Sequence, residues 1–150
     1  MVDINCGDGW SGAAGDFGVF CYKMKYEKED WEGAVAACQN LGGDLFSVGN
    51  AYEEQFLKMY IKTNAWIGYR DKSATGTWTW SDGTQGVYTN WEGESRDVSG
   101  MKRDCVVLDA SEGKWRDASC MSKAKYLCKK KGEGEHKTSN DSRKYPCTDE

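Results

Sequence analysis

Apolar and polar positions change period along the chain. Trp31, Ala34, Val35 and Cys38 recur at helical spacing, Asp30 can cap them, and Gly42-Gly43 can stop them, which predicts a helix over Trp31 to Leu41. Asn50-Ala51-Tyr52-Glu53 has the form of a capping box and opens a second helix to about Lys62, with Phe56, Met59 and Tyr60 as its core-facing stripe. Ahead of these, the Gly-rich residues 7–18 read as a loop, and Phe17 to Met24 alternates as a first strand. Asp44 to Val48 reads as a short strand between the helices. From Ala65 the pattern shifts to short β segments separated by turns, at residues 66–69, 77–80, 105–108, 114–117 and 126–128. Two helices preceding most of the strands indicate an α+β fold. The polar stretch from Ser81 to Arg103 is too long for an ordinary connection and is a candidate functional loop. Residues 132–150 are polar and nearly free of apolar side chains, which predicts a flexible tail behind a domain of residues 1–131.

Charge and chemistry narrow the function. The formal net charge of −4 argues against a nucleic-acid binder, which needs a basic face to neutralise phosphates. One histidine, His136 in the polar tail, leaves a Ser-His-Asp or Cys-His catalytic arrangement almost nothing to build on. No HExxH, CxxC or GxxxxGK[ST] is present, and no apolar run is long enough for a membrane span. Met1 reads as an expression start ahead of a mature sequence. Binding becomes the expected class. The seven cysteines, Cys6, Cys21, Cys38, Cys105, Cys120, Cys128 and Cys147, are spread along the chain instead of clustered at metal spacings, which favours disulfides in an oxidising, secreted or extracellular setting. Spacing alone leaves their connectivity open.

Several ordered motifs then resemble those of the C-type lectin-like domain: Trp66-Ile67-Gly68-Tyr69, Trp80-Ser81-Asp82-Gly83, Tyr88-Thr89-Asn90-Trp91, Asp104-Cys105-Val106 and Trp115-Arg116-Asp117, with the spacing to Cys120 and Cys128. The likeness covers residues 6–131. It implies two helices packed on short antiparallel β-sheets, a long functional loop, and disulfides Cys38 to Cys128, Cys105 to Cys120 and Cys6 to Cys21, the last marking the long form of the domain. Trp66, Trp80 and Trp115 fall in its core motifs, while Trp78, Tyr88 and Trp91 are secondary candidates for ligand contact.

In sugar-binding members a calcium ion in the long loop is held by oxygen ligands that also bond two sugar hydroxyls. At the matching positions this chain carries Glu94-Ser95-Arg96 for the Glu-Pro-Asn motif, Arg103 for a glutamate, and Arg116 for the asparagine before Asp117. An arginine only donates and keeps its charge, so it opposes a divalent cation. The resemblance therefore implies a degenerate sugar-binding calcium site, with no cofactor required for the primary mechanism. An auxiliary structural calcium stays open, because Asp71, Asp97 and Asp104 keep their carboxylates.

Two roles are expected for the arginines. They pair with Glu94, Asp104 and Asp117 and tie the loop together, or they present donors to a sulfate, a sialyl carboxylate or a partner's carboxylate. The candidate ligand-binding set is Glu94, Arg96, Arg103, Arg116, Asp117 and Trp91. The expected function is non-enzymatic extracellular recognition of an anionic glycan or other acidic ligand. The alternatives are a protein-interaction module of the venom-subunit or receptor kind, and a calcium-dependent lectin. Ice and mineral binding, found among relatives, leave no sequence signature here. Cys147 offers a disulfide to a second chain, and Asn140-Asp141-Ser142 is a glycosylation sequon.

Overall fold

The computed structural model describes residues 2–7, 9–15, 18–71, 76–92 and 104–136. In chain order the elements are β1 (Val2–Asn5), β2 (Ser11–Gly15), β3 (Gly18–Glu29), α1 (Trp31–Asn40), β4 (Asp44–Leu45), α2 (Ala51–Tyr60), β5 (Ala65–Arg70), β6 (Thr79–Trp80), β7 (Cys105–Asp109), β8 (Lys114–Ala118), β9 (Ala124–Lys131) and β10 (Glu133–His136). The main sheet runs β2-β3-β9-β5-β7-β8, with β4 on β9 and β6 on β5, and β1 pairs β10 separately. The fold is α+β, as the helix-then-strand order predicts. The sheet is mixed and not purely antiparallel: β5 runs parallel to β9, with Ala65 opposite Lys125 and Trp66 opposite Tyr126.

Both faces of the central strands are buried, and the alternation along them sorts side chains into two cores. Ile67, Val106, Leu108 and Trp115 join Phe20, Phe46, Leu57, Trp80 and Leu127 on one face. Trp66, Cys105 and Val107 join Trp31, Ala34, Cys38, Leu45 and Tyr126 on the other. Strands covered on both faces read as continuous apolar runs, which is why Cys105-Val106-Val107-Leu108 has no alternation in sequence. Helix α1 covers the second face. Asp30 Oδ1 accepts from Gly33 N at 2.7 Å to start it, and Gly42, at φ +91°, takes the left-handed position past its end.

The three disulfides are closed as the resemblance implies: Cys6 to Cys21, Cys38 to Cys128 and Cys105 to Cys120. Cys38 to Cys128 spans 90 residues and joins α1 to β9, which on the chain-entropy account contributes about 4–5 kcal/mol, and each of the others about 3.

The start of α2 is a capping box. Asn50 Oδ1 accepts from the N–H groups of Tyr52 and Glu53 at 3.0 Å, and Glu53 Oε1 accepts from Gly49 N at 2.8 Å. Glu53 is buried, and its second oxygen meets Lys129 Nζ at 2.6 Å. That ammonium also donates to Ser47 O at 2.9 Å and lies 5.0 and 4.9 Å from the rings of Phe20 and Phe46. Ser47 in turn donates to Asp82 Oδ2 at 2.6 Å, so the network ties β9 to α2 and to the turn after β6.

Several expectations are corrected. Residues 7–18 are not all loop: Ser11–Gly15 forms β2, paired from Ser11 opposite Tyr22 to Gly15 opposite Gly18. Its glycines and alanines give no β signal, but backbone pairing does not need one. The first strand extends to Glu29, while Phe17 lies outside the described residues. Strand β4 keeps only Asp44 and Leu45 of the expected five residues, and β6 only Thr79 and Trp80. Helix α2 ends at Tyr60, and Met59 is 77% exposed, not core, because the buried side is set by Glu53, Glu54 and Leu57. The expected tail begins with a paired strand, β10, held by backbone bonds to β1; residues 137–150, including Cys147 and Asn140, lie outside the described residues.

Candidate functional site

The long loop enters at Glu92 and leaves at Asp104, and both ends are tied to the sheet. At the entry, Trp115 N donates to Asn90 O at 2.8 Å and Glu92 N to Trp115 O at 2.7 Å, so residues 90–92 lie along the outer edge of β8. Asn90 Nδ2 adds a bond to Gly113 O at 2.8 Å. At the exit, Asp71 N donates to Asp104 O at 2.9 Å.

Beneath the entry sits an aromatic cluster centred on Trp115. Its ring meets Tyr69 and Trp80 at 5.4 Å and Tyr88 and Trp91 at 5.9 Å, all edge-on, while Trp78 meets Trp91 at 4.9 Å. Such edge-to-face contacts each add about 0.5–1.5 kcal/mol to burial. Trp66, Trp80 and Trp115 are core, as their motifs imply. Trp78, Tyr88 and Trp91 are half-buried against it.

The Trp115 indole N–H donates to Glu54 Oε1 at 2.9 Å, a carboxylate that is only 2% exposed. Burial pushes the Glu54 pKa up, against the Trp115 and Asn90 hydrogen bonds and the Lys58 and Lys114 charges, which lower it. Sequence reading missed this residue, because a glutamate on an amphipathic helix looks solvent-facing. With its folded pKa above the unfolded value, the group favours folding fully below ~pH 4–5 and loses that contribution as pH rises through the folded pKa. Glu54→Gln is therefore expected to raise the urea midpoint at pH 7 and to flatten the decline in stability between pH 4.5 and 7. An unchanged pH profile in that variant would show that Glu54 ionisation does not set it.

Arg116 and Asp117 are neighbours in sequence but not in space. On β8 they project from opposite faces, with Arg116 opposite Val107 and Asp117 opposite Val106. Arg116 Nη1 donates to Asp109 Oδ2 at 2.8 Å, on the face away from the aromatic cluster; its side chain is 45% exposed and that of Asp109 9%. Arg116 thus pairs with Asp109, and among the described residues it forms no ion pair with the expected partners Asp104 and Asp117; Glu94 lies outside the described residues. The Ser111 hydroxyl, helped by backbone N–H groups and Arg116, holds Asp109 below the usual carboxylate range. Glu92 beside them is raised, first by desolvation and then by the Asp109 charge.

Of the remaining expected residues, Trp91 and Asp117 lie on the cluster side of β8. Glu94, Arg96, Asp97 and Arg103 lie outside the described residues. Asp71 is fully buried, and its Oδ2 accepts from Gly76 N at 2.6 Å, while Asp104 meets it through backbone alone. Among the described residues no group of three or more acidic, cysteine or histidine side chains is placed to hold a metal. The described positions that match the bridging calcium site offer one carboxylate, Asp117, and one guanidinium, Arg116. Asp117 can offer oxygen to a hard cation and the Arg116 guanidinium cannot, whereas the other matching positions, 94, 96 and 103, lie outside the described residues.

The family profile described as "Lectin C-type domain" matches residues 27–130. The chain belongs to the C-type lectin domain family. This C-type lectin domain is 35% identical over 147 residues to C-type lectin lectoxin-Lio1 of the snake Erythrolamprus poecilogyrus, covering 91% of this chain and 87% of that one. It is 32% identical to C-type mannose receptor 2 of Mus musculus over 87% of its own length, but spans only 9% of that receptor. Among solved structures, a calcium-independent type II antifreeze protein superposes with TM-score 0.76 at 26% identity, covering 87% of this chain and 97% of that one. The cow CD23 carbohydrate-recognition domain, crystallised with a GlcNAc2Man3 oligosaccharide, superposes at 0.75 with 32% identity over 86% and 98%. The family's members are non-enzymatic recognition proteins, and so is this domain.

Proposed function

We propose that this C-type lectin domain works outside the cell and binds an anionic glycan or another acidic ligand at the long loop, with no calcium ion bridging protein to sugar. The observation that carries the reading is Arg116: the position of a family calcium ligand holds a guanidinium, paired with Asp109 at 2.8 Å on the sheet face opposite the aromatic cluster. Arg96 and Arg103, at two further ligand positions, supply bidentate donors for a carboxylate or sulfate. Half-buried Trp91 and Tyr88 stand at the entry to the same loop. The likeness to a calcium-independent antifreeze protein supports a domain of this family that manages without the ion.

The test is a calcium titration by calorimetry, together with a sialylated and sulfated glycan array run in calcium and in chelator. Equal signals in both buffers, weakened by salt and reduced about tenfold or more in Arg96→Gln/Arg103→Gln, are expected. Loss of all glycan signal in chelator would return the domain to the family's calcium-bridged mechanism. A second reading, a protein-interaction module, is favoured by exposed Tyr52 and Met59 on the outer side of α2 and by Val87 at 95% exposure. That module would bind its partner without salt dependence.

A further inference from the structure

A groove of about 350 Å³ opens on the sheet face opposite the aromatic cluster, lined in part by Lys28, which lies just before α1. Its walls carry Lys28, Lys123, Lys125 and Arg116, with Thr63, Asn64 and Ser122 between them and Trp66, Val107, Ala118 and Ala124 beneath. No acidic side chain lines it. This contrasts with a chain whose net charge is −4.

The cations converge from three separate segments. Lys28 comes from the end of β3, where the pairing with β9 slips between Lys25 opposite Tyr126 and Glu29 opposite Ala124; such a bulge re-aims side chains. Lys123 and Lys125 come from the start of β9, and Arg116 crosses from β8. Arg116 is engaged by Asp109, with Glu92 near that pair. The three lysines differ. Among the described residues no carboxylate lies within ion-pair distance of Lys28, Lys123 or Lys125. Lys125 Nζ donates to Thr63 Oγ1 at 3.3 Å and lies 5.5 Å from the Tyr26 ring, contacts that steer the ammonium without neutralising it.

We propose that this groove is a second, calcium-independent binding site for a sulfated oligosaccharide. Ammonium groups are compact point charges suited to sulfate oxygens. The hydroxyls of Thr63 and Ser122 and the Asn64 amide line the same groove and suit sugar hydroxyls. Three disulfides place the domain in an oxidising setting, where the available polyanions are carboxylated and sulfated polysaccharides. The proposal stands apart from the reading of the long loop, since it uses none of Arg96, Arg103 or Trp91.

The probe is a heparin-derived tetrasaccharide, compared with its de-O-sulfated counterpart by calorimetry at 0.15 M salt in chelator. The sulfated form is expected to bind, the desulfated form not. In an Arg96→Gln/Arg103→Gln background, which removes the long-loop arginines, Lys28→Gln/Lys123→Gln/Lys125→Gln is expected to lose about tenfold or more of the remaining binding and Lys28→Arg/Lys123→Arg/Lys125→Arg to retain it. An unchanged urea midpoint in the glutamine variant keeps the comparison one of binding. No binding at 0.15 M salt, equal binding of the desulfated probe, or loss confined to the Arg96/Arg103 variant overturns the groove site. A glycan-array failure at the long loop, with the groove variant still discriminating, overturns the other reading alone.

Discussion

Lys129→Met lowers stability by about 3–5 kcal/mol, because it removes one partner of a buried ion pair and strands the other. Glu53 is 5% exposed, and its Oε2 depends on Lys129 Nζ at 2.6 Å. The same ammonium serves Ser47 O and Ser47 Oγ, at 2.9 and 3.1 Å, so three oxygens lose a donor at once. Methionine fills the volume between Phe20 and Phe46, which isolates the electrostatic loss from a packing defect. The measurement is a urea midpoint with disulfides intact. The double variant Lys129→Met/Glu53→Gln should recover a large part of the loss, since it removes the stranded charge as well. A loss under 1 kcal/mol in the single variant would mean that water replaces the ammonium.

Trp115→Ala is the second large effect. Emptying the centre of the aromatic cluster costs about 3–5 kcal/mol, as for other large-to-small core changes. Removing the indole N–H leaves Glu54 Oε1 without its 2.9 Å donor, a further cost of about 1–3 kcal/mol. Against a total stability of about 5–15 kcal/mol for a domain, this variant sits near the unfolding limit, and Trp115→Phe supplies the graded case. The phenylalanine variant keeps an aromatic ring beside Tyr69 and Trp80, loses the donor, and leaves a smaller cavity than alanine does. Its penalty should therefore grow as pH rises through the Glu54 titration, because the stranded group is costly when charged. A pH-independent penalty in Trp115→Phe would assign the cost to packing alone. Trp115 also carries both backbone bonds to residues 90–92, so the loop entry should show faster amide exchange in either variant.

Much of the fold was legible because its motifs are local. Trp66-Ile67-Gly68-Tyr69 and Cys105-Val106-Val107-Leu108 announce strands buried on both faces, and Asp30 and Asn50 announce helix starts that the structure realises as caps. The α2 stripe misled, because polar side chains mark its buried side. Glu53 and Glu54 are inside only because Lys129, 76 positions away, and Trp115, 61 away, supply their donors. No window of sequence contains those pairs. Arg116-Asp117 misled for a different reason: adjacency in a motif suggested one site, whereas strand alternation sends the two side chains to opposite faces. The lysine groove was invisible for the same cause as the Glu53 pair. It draws on Lys28, Lys123 and Lys125, which only the sheet order and the slipped β3–β9 register bring together.

The pairing of β1 with β10 gives the domain a mechanical character. Tension applied between residues 2 and 136 first unzips those two strands, one residue pair at a time. The covalent load path then runs from Cys6 through its disulfide to Cys21, along residues 21–38, and through the second disulfide to Cys128. Residues 7–20 and 39–127 lie off that path. The loop base, the aromatic cluster and the lysines at 123 and 125 are thus shielded from extension, while Lys28 lies on the segment that is pulled. Force would spare the loop surface and peel one wall from the groove.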